Sequence, residues 1–138
     1  MLTWDEVKAH IRQNFSPTEE HEAWLHLRCD FPKIGTQTVH VTFKETKLGG
    51  PAIEIVAPVG DMARINAVDA LTYNHSAHMG ALVLRGEVLL LRTVLLLKDL
   101  KLELVDEALI YMASEATRLR VRTASAPVPP DLFAYFTN

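Results

Sequence analysis

Among the residues of this chain able to do chemistry, the six histidines come first. His75 and His78 are three apart near the end of an expected helix, so both imidazoles fall on one side of it. His26 and His40 lie on the outward side of two alternating segments. Paired imidazoles can begin a zinc site, but such a site takes three or four ligands in tetrahedral reach, usually with thiolates or carboxylates among them. Neither HExxH nor CxxC occurs. The residues therefore predict no metal and no cofactor. A metal- or small-ligand-binding enzyme built on the His75/His78 region is the alternative reading.

Cys29 could be a nucleophile beside a base in an electropositive, partly exposed setting. Its register puts it with Leu25, Leu27 and Phe31, which predicts a small core residue instead. Ser76 has His75 and His78 near it in sequence but no GxSxG frame. Gly35, Gly49 and Gly50 separate strands and do not link a strand to a helix, so they are turn glycines and form no phosphate loop. Glu54 and Asp69 are single carboxylates with no pairing visible in sequence. Trp24 differs from all of these. It lies on the polar side of its strand with His26 and Arg28, and an outward tryptophan often marks a contact.

The elements that must position these groups follow from periodicity. Thr3 and Glu6 form a capping box for a helix over 3–15, with Trp4, Val7, Ile11 and Phe15 on one stripe. Alternation predicts strands over 22–31 and 37–47, and a third strand over 52–57, joined as an antiparallel meander. Pro58 to Gly60 is expected to end that sheet segment, and Asp61 to cap a second helix over 62–74 with Met62, Ile65, Val68 and Leu71 as its stripe. Strands over 79–84 and 87–97 flank a turn at Arg85-Gly86. A long helix over 102–122 follows, acidic at its start and with Arg118, Arg120 and Arg122 at its end, as the helix dipole favours. The order α-β-β-β-α-β-β-α predicts an α+β fold, a five-stranded antiparallel sheet with three helices. Residues 1–123 form one expected domain, and 124–138 a proline-rich linker with an aromatic tail of Leu132, Phe133, Tyr135 and Phe136.

The strand over 88–97 is apolar on both pleat faces. Val88, Leu90, Val94 and Leu96 point one way, and Leu89, Leu91, Leu95 and Leu97 the other. Helices can cover one face; a second copy is the commonest cover for the other. The expected dimer or partner surface is thus Val88, Leu89, Leu90, Leu91, Val94 and Leu95, with Trp24 as a second contact.

Bulk properties exclude several classes. The net charge is −3 over 138 residues, without the basic surplus of a nucleic-acid binder. The apolar window at 79–97 holds Arg85, Glu87 and Arg92, so it is no membrane span. One cysteine allows no internal disulfide, and the first residues follow no signal-peptide plan. A cytoplasmic location is expected.

The second half resembles the YbjN family, which shares the fold of type III secretion chaperones. The resemblance is carried by a helix ending in Leu71-Thr72-Tyr73-Asn74, a strand over 80–84, the Arg85-Gly86 turn, the strand over 88–97, and a closing helix with Ala113, Ala116 and Leu119. It covers about residues 61–122. It implies a non-enzymatic homodimer, chaperone-like, that holds a protein client segment on apolar patches, with no catalytic residues.

Overall fold

Thr3 starts the first helix as its capping box predicts. Its hydroxyl accepts from the Glu6 amide at 3.2 Å, and the Glu6 carboxylate accepts from the Thr3 amide at 3.3 Å. The computed structural model describes residues 1–33 and 35–123; the expected linker and aromatic tail, 124–138, lie outside the described residues. Helix α1 spans Trp4–Phe15 and ends where Ser16 turns left-handed before Pro17. Strands β1 (Glu19–Glu20), β2 (Trp24–Phe31), β3 (Gly35–Thr46) and β4 (Gly50–Asp61) follow. Then come α2 (Ala67–Ser76), β5 (Ala81–Arg85), β6 (Val88–Leu96) and α3 (Leu102–Thr123).

The fold is α+β, with six antiparallel strands in the order β1-β2-β3-β4-β6-β5. The expected count of five is corrected by β1, a two-residue strand paired to Leu25 and His26 of β2. Two residues are too few to show alternation, so no periodicity marks it.

Two further expectations are corrected. Pro58 and Gly60 do not end β4. The strand continues to Asp61 through a register shift between Pro58 and Gly60; such a bulge accommodates a proline, which cannot donate to the ladder. The Pro58 carbonyl instead accepts from the buried Gln37 amide at 2.9 Å. The helix expected over 62–74 divides. Met62–Arg64 is a 3-10 turn under Asp61, Ile65 is extended, and Asn66 caps α2 by accepting from the Asp69 amide at 2.8 Å. Two cap-forming residues five apart compete for one helix start, and Asn66 begins the longer one.

All three helices belong to one face of the sheet. Val7 and Ile11 of α1 and Leu109, Met112, Ala113 and Ala116 of α3 share a core with Leu25, Leu27, Val41, Ile53, Ile55, Leu89 and Leu91; Ala70 and Tyr73 of α2 pack at its margin. His10 of α1 meets Asp106 of α3 at 2.7 Å. No described helix is long and apolar enough to cross a membrane.

Gly80 lies close against β6 and α3. Its φ is +77°, and a Cβ there would come 2.9 Å from the Arg92 carbonyl oxygen and 3.1 Å from the Met112 sulfur. Gly50 has a similar φ of +76° with open space around it. Gly50→Ala should cost about 1 kcal/mol from backbone conformation alone, and Gly80→Ala at least about 2 kcal/mol because crowding is added. Urea unfolding of both variants checks this; equal losses would contradict the packing described.

Candidate functional site

The other face of the sheet carries no described helix, and its side chains follow from register. Trp24, His26, His40, Glu54, Val56, Val83, Arg85, Val88, Leu90 and Arg92 all point to it. His26 and His40 stand directly opposite each other on β2 and β3. Their rings are 4.6 Å apart, and Trp24 stacks beside them at 4.7 Å from His26 and 5.3 Å from His40. His21 closes the row, 3.9 Å from Trp24, with Glu19 accepting from it at 2.8 Å and lying 3.4 Å from His26. Trp24, expected to face outward as a contact residue, is thus the centre of a ring of imidazoles.

Both strand histidines are buried, His40 to 1% exposure. Burial disfavours the imidazolium, so the pKa of His26 is lowered, although Glu19 pulls the other way. That of His40 is pushed down to about 3, first by burial and then by the charge of His26.

Next to them is a buried carboxylate among cations. Glu54, 2% exposed, accepts from Arg92 Nε at 2.5 Å and lies 3.2 Å from Lys44 Nζ and 3.8 Å from Arg85 Nη2. Burial alone would raise its pKa, but the Arg92 hydrogen bond and the charges of Lys44 and Arg92 outweigh it and hold the group ionised. Beyond it, Val56, Val88 and Leu90 form a second apolar cluster, with Val83 packed against it and no helix residue in it.

A different apolar surface lies at the β5 edge. Asn74, the last residue of the sequence run that ends α2, docks on β5. Its amide donates to the Leu82 carbonyl at 3.2 Å, and its carbonyl accepts from the Leu82 amide at 2.6 Å. One side chain thus takes the place of a neighbouring strand at that residue and blocks part of the edge. Beside it a groove of about 420 Å³ runs between α2 and β5, lined by Ile65, Leu71, Leu82 and Leu84 among others. Met62, Val68, Leu71 and Leu84 around it are each more than half exposed. The expected core stripe of the second helix is therefore surface, and no residue of α2 is buried.

The remaining candidates separate. Leu89 and Leu91 are buried under the helices and Leu95 packs beside them; Val88 and Leu90 are buried on the opposite face, and Val94 is half-buried. His75 and His78 are exposed. Ser76 is on the same helix end, its hydroxyl turned back to the Thr72 and Tyr73 carbonyls. Cys29 is half-buried, and burial together with Asp30 raises its pKa, away from a reactive thiolate. Among the described residues no group of three or more His, Cys, Asp or Glu side chains could hold a metal ion. Sequence reasoning missed the Glu54 cluster, because its four members come from β3, β4, β5 and β6.

Comparison with family models, curated proteins and solved structures finds no match to this chain.

Two predictions follow from the charges. Glu54→Gln leaves three cations facing a neutral amide. It should cost about 1–3 kcal/mol, the range for a hydrogen bond to a charged group, and a double-mutant cycle with Arg92→Met should show coupling; additive losses would contradict the cluster. His40 is neutral when folded, against an ordinary value near 6.5. Its contribution to stability is complete above about pH 6.5 and is lost as pH falls toward 3. Unfolding free energy should fall by on the order of 2 kcal/mol between pH 6.5 and 5 from this group, and His40→Gln should reduce that slope. An unchanged slope in the variant would refute the assignment.

Proposed function

We propose that this protein is a non-enzymatic, homodimeric, chaperone-like binding protein that holds an extended polypeptide segment against the helix-free face of its sheet. The observation that carries this is the burial of Val56, Val88 and Leu90 on a face whose apolar cluster, among the described residues, is drawn from strands. Such a face has the form of a seat for an extended chain. Trp24 and the imidazoles beside it suit aromatic side chains. The shifted groups offer no acid–base pair for turnover: His40 is held neutral and Glu54 is held ionised by cations.

The same reading keeps the resemblance to the YbjN family and the type III secretion chaperone fold. The order of α2, the β5–β6 hairpin and the long α3 supports it. A single cysteine suits a cytoplasmic site of action.

Self-association is assigned to the α2 surface. Strand pairing along β5 is hindered where Asn74 occupies the edge. Val68 and Leu71 lie three apart on the exposed side of α2, with Met62 and Leu84 beside them, and exposed apolar patches of this kind mark association sites. Two copies meeting α2 to α2 about a two-fold axis would cover all four residues in each.

Light scattering at micromolar concentration should give twice the chain mass of 15.5 kDa, and Leu71→Asp should give the monomer with an unchanged circular dichroism spectrum. A monomeric wild type would refute the dimer. For binding, the probe is a peptide of alternating phenylalanine and aspartate, titrated into ¹⁵N-labelled protein. Saturable shifts should appear at the Trp24 indole and the Arg85 and Arg92 Nε signals and weaken in Trp24→Ala. Shifts confined to α1 and α3, or none, would overturn the binding face.

A further inference from the structure

Helix α3 carries a second surface besides the one it buries. Val105, Leu109, Met112 and Ala116 belong to the core. Glu103, Glu107, Ile110, Ser114, Arg118 and Val121 follow one another at steps of three or four residues and so share another side of the helix. Ser114 is half-buried and the rest are exposed, Ile110 and Val121 to 53% and 56%. The margins of this side are engaged within the chain. Asp106 meets His10 of α1 at 2.7 Å, and Glu115 accepts from the Tyr73 hydroxyl of α2 at 3.2 Å. Helices α1 and α2 thus flank the outward side.

Charge is sorted along it. Glu103 and Glu107 lie in the first half of α3, Arg118 and Arg122 in the second, and Ile110 and Ser114 between them. The helix dipole accounts for Glu103 in the first turn and Arg122 in the last, but its effect falls off beyond the terminal turns. Glu107 and Arg118 lie a turn further in. Among the described residues Glu103, Glu107 and Arg122 make no ion pair, and Arg118 meets Glu115 of its own helix at 3.2 Å.

We infer that this side of α3 packs antiparallel on the same side of a second copy of the chain. A surface acidic at one end and basic at the other complements itself only when reversed, which a two-fold axis achieves. With the axis level with Met112 and Ala113, Glu107 lies opposite the partner's Arg118, and Glu103 lies level with the partner's Arg122; each pair occurs twice. Ile110 lies against the partner's Ser114, whose small side chain lets the helices approach. A parallel arrangement would set like charges together.

This contact is separate from the one assigned to α2 and does not depend on it. Its ion pairs are exposed, so each contributes little and salt screens them. Ile110 and Ser114 add a small apolar centre. The contact is therefore weaker than the apolar α2 surface, forms at submillimolar concentration, and is lost as salt rises.

The test uses the full chain carrying Leu71→Asp, which removes the α2 contact. Sedimentation equilibrium at submillimolar concentration should give a dimer in about 0.01 M salt and a monomer in about 1 M salt, as the Debye length falls from about 30 Å to about 3 Å. Glu103→Arg with Glu107→Arg makes the surface basic throughout, and Arg118→Glu with Arg122→Glu makes it acidic throughout. Each double variant alone should be monomeric in low salt with an unchanged circular dichroism spectrum, and the two mixed should form a one-to-one complex. A Leu71→Asp protein that is monomeric in low salt, self-association that survives salt or charge reversal, or a mixture that stays monomeric would each overturn the inference. The α2 assignment stands or falls separately, on the effect of Leu71→Asp at micromolar concentration.

Discussion

The burial of β4 on both faces is the constraint on which the rest of this structure depends. A six-stranded sheet with three helices on one side would ordinarily present a polar second side to water, and the alternation of β2 and β3 reads that way. β4 does not alternate. From Ala52 to Gly60 its residues are buried one after another, including the charged Glu54. Removing a carboxylate from water is expensive unless it is paired and hydrogen-bonded. Arg92, Lys44 and Arg85, drawn from three neighbouring strands, supply the pairing. Their stems lie on the same face as the apolar cluster, so long side chains shield the sheet while their charged ends meet Glu54.

This arrangement connects packing to electrostatics and then to function. Burial keeps His40 neutral and lets it pack against His26 and Trp24 as an aromatic group. The face thus carries an aromatic row of Trp24, His26 and His40 at one end and the Glu54 ion cluster at the other. The α2 edge does a separate task. Asn74 holds α2 against β5, and the result leaves Val68 and Leu71 pointing outward. The two surfaces lie on different parts of the molecule, so the proposed dimer and the proposed segment binding do not compete.

Much of the fold was legible in sequence because it rests on local rules. The Thr3–Glu6 capping box, the alternation of Leu25, Leu27, Val39 and Val41, and the stripe of α3 each declare an element within a few residues. The pleat parity of Leu89 and Leu91 against Val88 and Leu90 was legible for the same reason. What was hidden depends on residues far apart. The stripe Met62–Ile65–Val68–Leu71 has helical spacing, yet competition between Asp61 and Asn66 for the helix start, together with docking through Asn74, leaves Ile65 against the core and Met62, Val68 and Leu71 outward. The strand at 52–57 runs on past Pro58 because a bulge accommodates the missing amide and the Gln37 side chain donates to the Pro58 carbonyl. The Glu54 cluster could not be read at all: a lone carboxylate gains partners only when β3, β4, β5 and β6 come side by side.

The central claim is that an extended, aromatic-bearing polypeptide lies on the helix-free face. The most direct measurement is a nuclear Overhauser spectrum of protein with labelled valine and leucine methyl groups, observed from Val56 and Leu90. With the phenylalanine–aspartate peptide bound, the account predicts cross-peaks from both methyl pairs to the peptide's phenylalanine ring protons. Methyl groups that contact only Val83, Val88 and water would contradict it.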